Sequence, residues 1–417
     1  MASKFVLKLL RSGVAKSSLP SITDVGVIGE PIFTRPSFVD TINDIRVQYA
    51  KRTVTAIPGT PVPMGIYSTG YNYRGQLALG DNDNRNEFTL VDLESWLMVE
   101  SGAYHTAAIK SDGTLWVAGY NTHGALGLGE YGNNRNVLTQ VGSDADWAYV
   151  RCQDHSTVAI KTDGTLWSTG YNYYGGLGLG DKVRTNTFQQ EVTFATDWSF
   201  IACGAYHVVA IKTNGEMWGV GRSVSGELGL GSGINVTEYT QIDTSNWSKI
   251  ACGAYHTMAI KSDGALWFTG VTSSGESGLG IGGLLWVLTQ VGSGTDYTDV
   301  SCGQYESYIV KADGTLWGTG LNYYGQLGVG DEILRDVFVQ EVGLDTDWSR
   351  VFGGWGSIFA LKSDNTLYSA GSNYEGALGL VDNDDRNVFT KVGEWFWGYV
   401  SIHGTGHRIA MRIQNGG

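Results

Sequence analysis

Seven aromatic residues recur along this chain at nearly equal intervals, and each is followed three residues later by a glycine. The spacings between neighbours are 49, 51, 51, 49, 50 and 51 residues. A period of this length is typical of repeat architectures, in which each unit buries its apolar surface against its neighbours. The seven anchors are Tyr67, Trp116, Trp167, Trp218, Trp267, Trp317 and Tyr368.

Each unit contains the pattern of about four short strands. Apolar runs of five or six residues flank an Asp-Gly or Asn-Gly pair such as Asn214-Gly215, and these runs are too short for helices. Such pairs favour a two-residue hairpin turn with positive φ at both positions. A glycine-rich loop then leads to a last strand, for example Phe188 to Val192. Seven such units predict an all-β fold, a seven-bladed β-propeller.

The two ends of the repeat region predict how the ring closes. Two strands, Tyr399 to His403 and His407 to Ile413, follow the last anchor but have no anchor aromatic after them. We expect them to complete the blade that Pro63 to Gly70 begins, so that paired N- and C-terminal strands close the propeller.

Composition divides the chain near residue 63, because all six prolines lie within the first 63 residues. Residues 1–62 hold eight Lys and Arg against four Asp and Glu, a net charge of +4. The whole chain carries −13, so the remainder carries −17, the difference between the two. We predict an extended N-terminal arm, residues 1–62, and a propeller, residues 63–417. The acidic body disfavours nucleic acid as a partner, and no stretch is long and apolar enough to span a membrane.

The repeat pattern is clearest in Cys252-Gly253 through Trp267 and in Asn322 through Gly330. It resembles the regulator of chromosome condensation repeat family across roughly residues 63–413. The resemblance implies a seven-bladed propeller and does not fix the function. Nucleotide exchange on a small GTPase, known in that family, relies on an inserted β-wedge. The even spacing leaves no room for such an insertion, so we do not expect that activity in this chain.

The arm carries a second resemblance. Leu7 to Pro20, together with Gly29-Glu30, is similar to the opening segment of tailed-phage fibre and virion proteins. That resemblance implies an arm that docks on other virion proteins, which includes the basic residues Lys8, Arg11, Arg35, Arg46 and Arg52.

Two functional hypotheses follow, and both lack a catalytic residue or a cofactor. The first is a non-enzymatic phage virion structural protein, assembled in the host cytoplasm and located in the virion. Its propeller would decorate the tail or capsid or contact the host surface. The alternative is a cellular protein-interaction scaffold of the same repeat family. An enzyme with a site in the channel is a third and less favoured hypothesis.

Tyrosines in the loops after the anchor strands are the candidate binding residues. They differ between blades, so the repeat does not require them, and tyrosine can stack on a sugar ring or anchor a protein partner. We expect a host-surface glycan or protein as their ligand, with an ordinary surface role as the alternative. The candidates are Tyr71, Tyr73, Tyr171, Tyr173, Tyr174, Tyr323, Tyr324 and Tyr374.

Other polar residues are interpreted as parts of the repeat, and no metal site is predicted. Five histidines are assigned to one repeat position, with Glu306 and Trp355 in their place in two units, and predict hydrogen bonds between blades. Residues 81–85 and 382–386 resemble a Ca²⁺ loop only faintly. Four cysteines, one per repeat, predict small buried core residues. The histidines are His105, His155, His207, His256 and His407, and the cysteines are Cys152, Cys203, Cys252 and Cys302.

Overall fold

The computed structural model describes residues 63–404 and 406–413, and it confirms the seven-bladed all-β propeller. Five blades are separate four-stranded antiparallel sheets, and a seven-stranded sheet contains the other two. Blades 1 to 6 are numbered in chain order from Trp96, and the closing blade joins the two ends of the described chain. No helix in this part of the chain is long and apolar enough to cross a bilayer.

The strands of the first half of the ring follow one another in chain order. The closing blade begins with β1 (Pro63–Gly70) and β2 (Arg85–Asp92). Blades 1 to 3 contain β3 (Trp96–Ser101), β4 (His105–Lys110), β5 (Leu115–Gly119), β6 (Arg135–Gln140), β7 (Trp147–Cys152), β8 (Ser156–Lys161), β9 (Leu166–Gly170), β10 (Thr185–Gln190), β11 (Trp198–Cys203), β12 (His207–Lys212), β13 (Met217–Gly221) and β14 (Val236–Asp243).

The remaining strands are β15 (Trp247–Cys252), β16 (His256–Lys261), β17 (Leu266–Val271), β18 (Leu284–Gln290), β19 (Tyr297–Cys302), β20 (Glu306–Lys311), β21 (Leu316–Gly320), β22 (Arg335–Gln340), β23 (Trp348–Gly353), β24 (Ser357–Lys362), β25 (Thr366–Gly371), β26 (Arg386–Ile402) and β27 (His407–Ile413). A 3-10 turn covers Tyr374–Gly376. The strand predicted from Phe188 to Val192 is β10, which begins three residues earlier and ends two residues earlier, because this outer strand is half-exposed and lacks a continuous apolar run.

The ring closes as the sequence predicts. Strand β27 pairs with β1 from Pro63 opposite Ile413 to Gly70 opposite His407, and with β26 on its other side. The predicted separate strand at Tyr399 is part of the 17-residue β26. This strand pairs with β25 through its first part and with β27 from Phe396 onward, so it belongs to two blades.

The Asp-Gly hairpins differ from the predicted two-residue turn. At residues 110–114, Gly113 N–H donates to the Lys110 carbonyl at 2.9 Å, and Lys110 N–H donates to the Thr114 carbonyl at 3.0 Å. Of Asp112 and Gly113, only Gly113 has a positive φ, of +85°. This is a three-residue loop with a glycine bulge. The Asp112 carboxylate holds it by accepting the Thr114 N–H at 3.0 Å.

The core lies between adjacent blades. Ile109 and Leu115 of blade 1 pack with Trp147 and Val150 of blade 2, and equivalent clusters occupy other junctions. All residues of β12 except its last are buried, so its two faces both contact protein. Burial on both faces explains why the sequence shows apolar runs in place of clean alternation.

Each anchor tryptophan from Trp116 to Trp317 belongs to a clamp on a lysine at the end of the second strand. The Lys261 ammonium lies 4.2 Å from the ring centroid of Trp267 and 5.0 Å from that of Trp247. A cation over an aromatic face is attracted by the ring quadrupole. The same arrangement holds Lys110, Lys161, Lys212, Lys311 and Lys362.

Candidate binding surface

Four of the predicted histidines link each blade to the next. They open the second strand of their blade, and each places Nε2 at a hydroxyl of the following blade. Burial lowers the pKa of each to about 3, so the ring is neutral. The interpretation as inter-blade hydrogen-bonding residues is confirmed for these four. The contacts are His105–Thr157 at 2.9 Å, His207–Thr257 at 3.1 Å, His256–Ser307 at 3.0 Å and His407–Thr106 at 3.2 Å.

The assignment of His155 and Trp355 to this position is wrong. Ser156 pairs with Gly170 as His105 pairs with Gly119, and Ser357 pairs likewise with Gly371. His155 and Trp355 therefore lie in the preceding turns. The assignment of Glu306 is confirmed, because it pairs with Gly320 in the same register.

Glu306 is the one acid at the linker position among the described blades. Its carboxylate accepts hydrogen bonds from Gln326 Nε2 at 2.6 Å and from the Tyr305 N–H at 2.9 Å. Burial raises its pKa to about 7 because the interior disfavours the charged form. Its side chain is 1% exposed, so a substrate in solution has no access to it.

Loops of neighbouring blades bring a continuous set of aromatic rings together on one face. Tyr173 lies 5.0 Å from Tyr174, which lies 5.0 Å from Tyr206 of the next blade. Tyr171 joins the same set, with its centroid 6.3 Å from Tyr173 and 5.3 Å from His123. We call this set the aromatic face. Its members are Tyr104, Tyr120, His123, His155, Tyr171, Tyr173, Tyr174 and Tyr206.

The structure brings only some of the predicted tyrosines together. Tyr71 and Tyr73 contact each other at 5.1 Å. The adjacent Arg74 guanidinium lies 5.0 Å from the Tyr120 ring of the aromatic face. Tyr323, Tyr324 and Tyr374 are exposed, and none stacks on another ring of the described chain.

Tyrosines in the turn before the second strand are functional candidates that the sequence pattern did not predict. Tyr104 and Tyr206 belong to the aromatic face, and Tyr255 and Tyr305 contact each other at 5.9 Å. The sequence does contain a pattern that indicates these tyrosines, because each of them directly precedes the linker position. Burial raises the pKa of Tyr206 to about 12, so its hydroxyl stays neutral.

The aspartate-rich loops have a structural role. Arg85 donates to Asp81 at 2.6 Å, and Arg386 repeats this contact with Asp382. Asn72 Nδ2 also donates to the Asp81 carboxylate, at 3.1 Å. The arginine thus occupies the carboxylate that a Ca²⁺ ion would need. In the described part of the chain, no group of three or more His, Cys, Asp or Glu is placed to hold a metal ion.

The four cysteines are buried and free, which confirms their interpretation as core residues. Burial raises the pKa of each thiol. They close innermost strands that surround a central cavity of about 340 Å³. At one end of this cavity His403 Nε2 contacts the Asp154 carboxylate at 3.1 Å.

The strand order and the repeated inter-blade contacts define the class of protein as a seven-bladed β-propeller built from sequence repeats. The family model described as "Regulator of chromosome condensation (RCC1) repeat" matches residues 163–211 and 214–260. A second model of that description matches residues 99–125, 198–227 and 297–326. The chain carries repeats of this family over the matched residues.

Three curated relatives are similar to parts of this chain. The Ultraviolet-B receptor UVR8 of Arabidopsis thaliana is 30% identical over 186 residues, 42% of this chain and 41% of the receptor. The human Regulator of chromosome condensation is 28% identical over 189 residues, 44% of each chain. The X-linked retinitis pigmentosa GTPase regulator of Canis lupus familiaris is 26% identical over 270 residues, 50% of this chain and 26% of that protein. The chain thus spans less than half the length of these relatives.

Solved structures show the same fold. Human WBSCR16 has a TM-score of 0.75 and 18% identity, covering 83% of this chain and 98% of its own. Prp20p from Saccharomyces cerevisiae has a TM-score of 0.76 and 17% identity, covering 88% and 94%. Identity this low carries the fold alone.

The arm residues Lys8, Arg11, Arg35, Arg46 and Arg52 lie outside the described residues. The docking role assigned to them, and the resemblance to phage virion proteins, stay predictions.

Proposed function

We propose that this protein is a non-enzymatic protein-interaction module that docks a partner on its aromatic face and the neighbouring loop tyrosines. The observation that carries this proposal is the unbroken set of ring contacts across adjacent blades, with outward rings at its edge. Tyr73 and Tyr173 are 62% and 64% exposed. Tyrosine offers a large apolar contact area and a polar tip, which is why it is enriched among energetically dominant interface residues.

Apolar side chains on the same loops support a protein partner. They lie in the glycine-rich loops after the anchor strands, three of them in loops that also carry candidate tyrosines, and each adds exposed apolar area that a docked protein would bury. They are Val183, Ile234, Ile333 and Val381, between 64% and 69% exposed. Relatives of this fold give further support, because the structure of Prp20p is described with its binding to Gsp1p and histones.

The titratable groups support a non-enzymatic role. The linker histidines are buried, have a pKa of about 3 and use Nε2 for inter-blade contacts. Glu306, the group with a pKa near 7, is enclosed by protein. An acid or base for catalysis must reach the proton it transfers, which these groups cannot do.

Cross-linking with the full-length protein tests this proposal. The protein is incubated with a lysate of its source, cross-linked, and the partner and contact sites are identified by mass spectrometry. The variant Tyr73→Ala/Tyr173→Ala/Tyr323→Ala should then bind the purified partner at least about tenfold more weakly. The control is Leu93→Ala/Phe194→Ala, two exposed side chains in the turns that follow β2 and β10, at the opposite end of these strands from the tyrosine loops, which should bind as the wild type does. Equal loss in both variants, or none in the first, contradicts the proposal.

A virion role is the second candidate, and the arm sequence at residues 7–30 favours it. The family match and the curated relatives favour the interaction module instead. In the virion proposal the arm docks the protein in the particle and the same loops contact the host surface. Antibodies against residues 63–417 should label purified particles from the source lysate at a defined place under the electron microscope. Protein confined to the soluble cell fraction contradicts this role.

A further inference from the structure

The central cavity is lined by side chains from the innermost strands of the blades. Five of the lining residues carry a full charge: Glu100, Arg151, Lys249, Asp299 and Arg350. The cavity volume of about 340 Å³ is at the lower end of the range for small-molecule sites. The cavity therefore has the size and the polar groups of a ligand site.

Protein donors already occupy both carboxylates in this cavity. Glu100 forms an ion pair with Arg151 and accepts the hydroxyls of Tyr399 at 2.5 Å and Ser401 at 2.9 Å. The carboxylate of Asp299 accepts Lys249 Nζ at 2.7 Å on one oxygen and the Val351 N–H at 2.9 Å on the other. The acidic side of the cavity is satisfied without any ligand.

Arg350 and Lys249, two of the cations that line the cavity, retain N–H donors without a protein acceptor in the described chain. Arg350 forms no ion pair within the described chain, and its one protein acceptor there is the Gly398 carbonyl at 3.2 Å. A guanidinium carries five N–H donors, so about four remain available. Its planar group lies 4.9 Å from the Phe352 ring and 5.1 Å from the Tyr399 ring, which orient it. Lys249 uses two of its donors, on Asp299 and on the Thr298 carbonyl.

The sign of the charge reverses inside the cavity. Three cations line the cavity against two carboxylates, and the Asp154 carboxylate lies beside His403 at one end, so the cavity is at most one charge positive, while residues 63–417 as a whole carry −17. At physiological ionic strength exposed charges more than about 8 Å away are largely screened, so the nearest groups decide which ion binds.

We propose that the central cavity is a binding site for a small oxyanion, a carboxylate or phosphate group held by the free donors of Arg350, and Lys249, which lines the same cavity, is the other cation with a donor available. Guanidinium geometry suits such groups, since two parallel N–H donors meet two oxygens. The oxyanion site shares no residue with the aromatic face and does not depend on it.

Titration calorimetry of the full-length protein at low ionic strength tests the site. Inorganic phosphate and citrate serve as separate probes, so that the heats distinguish a phosphate site from a carboxylate site. Arg350→Gln removes the charge from an exposed side chain and should weaken binding about tenfold or more. The matched control is Arg184→Gln, whose exposed guanidinium lies over Tyr131 on an outer loop. It should leave the affinity unchanged.

Asp299→Asn provides a second variant with the opposite expectation. It removes the carboxylate that competes for Lys249, so the affinity for the anion should rise. Absence of binding of both probes to the wild type overturns the proposal. So does equal affinity in wild type and Arg350→Gln, or weaker binding in Asp299→Asn with an unchanged melting temperature.

Discussion

At the residue scale, the buried histidines act as neutral linkers between blades. Their low pKa follows from burial, which disfavours the imidazolium, and the neutral ring keeps one nitrogen for a hydroxyl of the next blade. Two junctions between blades that lack a histidine–hydroxyl contact are joined by other side chains. Gln153 Nε2 donates to the His207 carbonyl at 2.9 Å between blades 2 and 3. Arg408 donates to Ser357 between the closing blade and blade 6.

Replacing His256 with alanine should lower the free energy of unfolding by about 2–3 kcal/mol at pH 7, because the variant loses the Ser307 contact and a cavity remains in place of the ring.

The same substitution should change the pH dependence of stability. In the wild type the pKa of His256 is lowered from 6.5 to about 3, so the unfolded chain binds the extra proton between these values. Stability of the wild type therefore falls as pH decreases below about 6.5, and the variant should lose less. Urea denaturation between pH 4 and 7 measures both, in buffers of about equal ionic strength. His123→Ala, on the half-buried surface, should cost under about 1 kcal/mol. An unchanged acid slope in His256→Ala contradicts this expectation.

Replacing Glu306 with glutamine should remove a pH dependence of the opposite sign. The folded pKa of about 7 lies above the unfolded value near 4.5, so the folded state binds the extra proton between them. Its contribution to stability is complete below about pH 4.5 and is lost as pH rises through 7, a difference of up to about 3 kcal/mol. In Glu306→Gln, unfolding free energies at pH 5 and pH 8 should lie closer together than in the wild type. The exposed Glu332→Gln should behave as the wild type, and a wild-type pH difference in Glu306→Gln would refute the assignment.

At the scale of elements, the lysine clamp connects the strands of a blade at the point where the second strand ends. The clamp joins the innermost strand, the second strand and the third, since its two rings and its cation come from different strands. In blade 3, Lys212 lies 4.9 Å from Trp198 and 4.8 Å from Trp218 and forms an ion pair with Asp197 at 3.0 Å. An aromatic residue recurs at the anchor position because its ring is both packed in the blade and in contact with the lysine ammonium.

Replacing Lys261 with methionine keeps the apolar stem of the side chain and removes the charge between Trp247 and Trp267. We expect a loss of about 1 kcal/mol in the free energy of unfolding, the value of a partly desolvated cation–aromatic contact. Thermal and urea unfolding measure it. Lys182→Met is the matched control on an exposed loop and should change stability by less than about 0.5 kcal/mol. A Lys261→Met protein as stable as the control would show that the clamp contributes only packing.

At the scale of the whole molecule, closure depends on β27. This strand lies between β1 and β26 and is the sole strand connection between the two ends of the described chain. Because the blades pack in a ring, an open seam would expose the apolar faces of the blades on either side. Arg408 and His407 on β27 also supply the contacts to blade 6 and blade 1.

A variant that begins at residue 63 should fold as the full chain does, because β1 still pairs with β27. Its circular dichroism should retain the wild-type strand signal, and its melting temperature should lie within about 3 °C of the full chain's value. A variant that ends at residue 406 should lose cooperative melting, since the closing blade then lacks its central strand. Aggregation or unfolding of the first variant contradicts the division at residue 63.

Local patterns predicted much of the fold and less of the candidate site. The aromatic period predicted the blade count because a repeat that closes on itself places the same residue type in the same environment seven times. His155 and Trp355 were placed wrongly because a pattern without backbone pairing leaves the register free by one or two residues. The tyrosines of the loops were visible as candidates, but Tyr104 and Tyr206 were not, since they look like constant parts of the repeat.

The amino-acid sequence alone determined the seven blades, the closure by terminal strands and the buried state of the cysteines, because each depends on periodic burial and on chain order. Only the tertiary structure decided which tyrosines meet across blades and that Arg350 keeps free donors beside a saturated Asp299. Those arrangements join residues of different blades, from 32 positions apart for Tyr174 and Tyr206 to 51 for Asp299 and Arg350, and their geometry depends on how neighbouring blades pack around the channel.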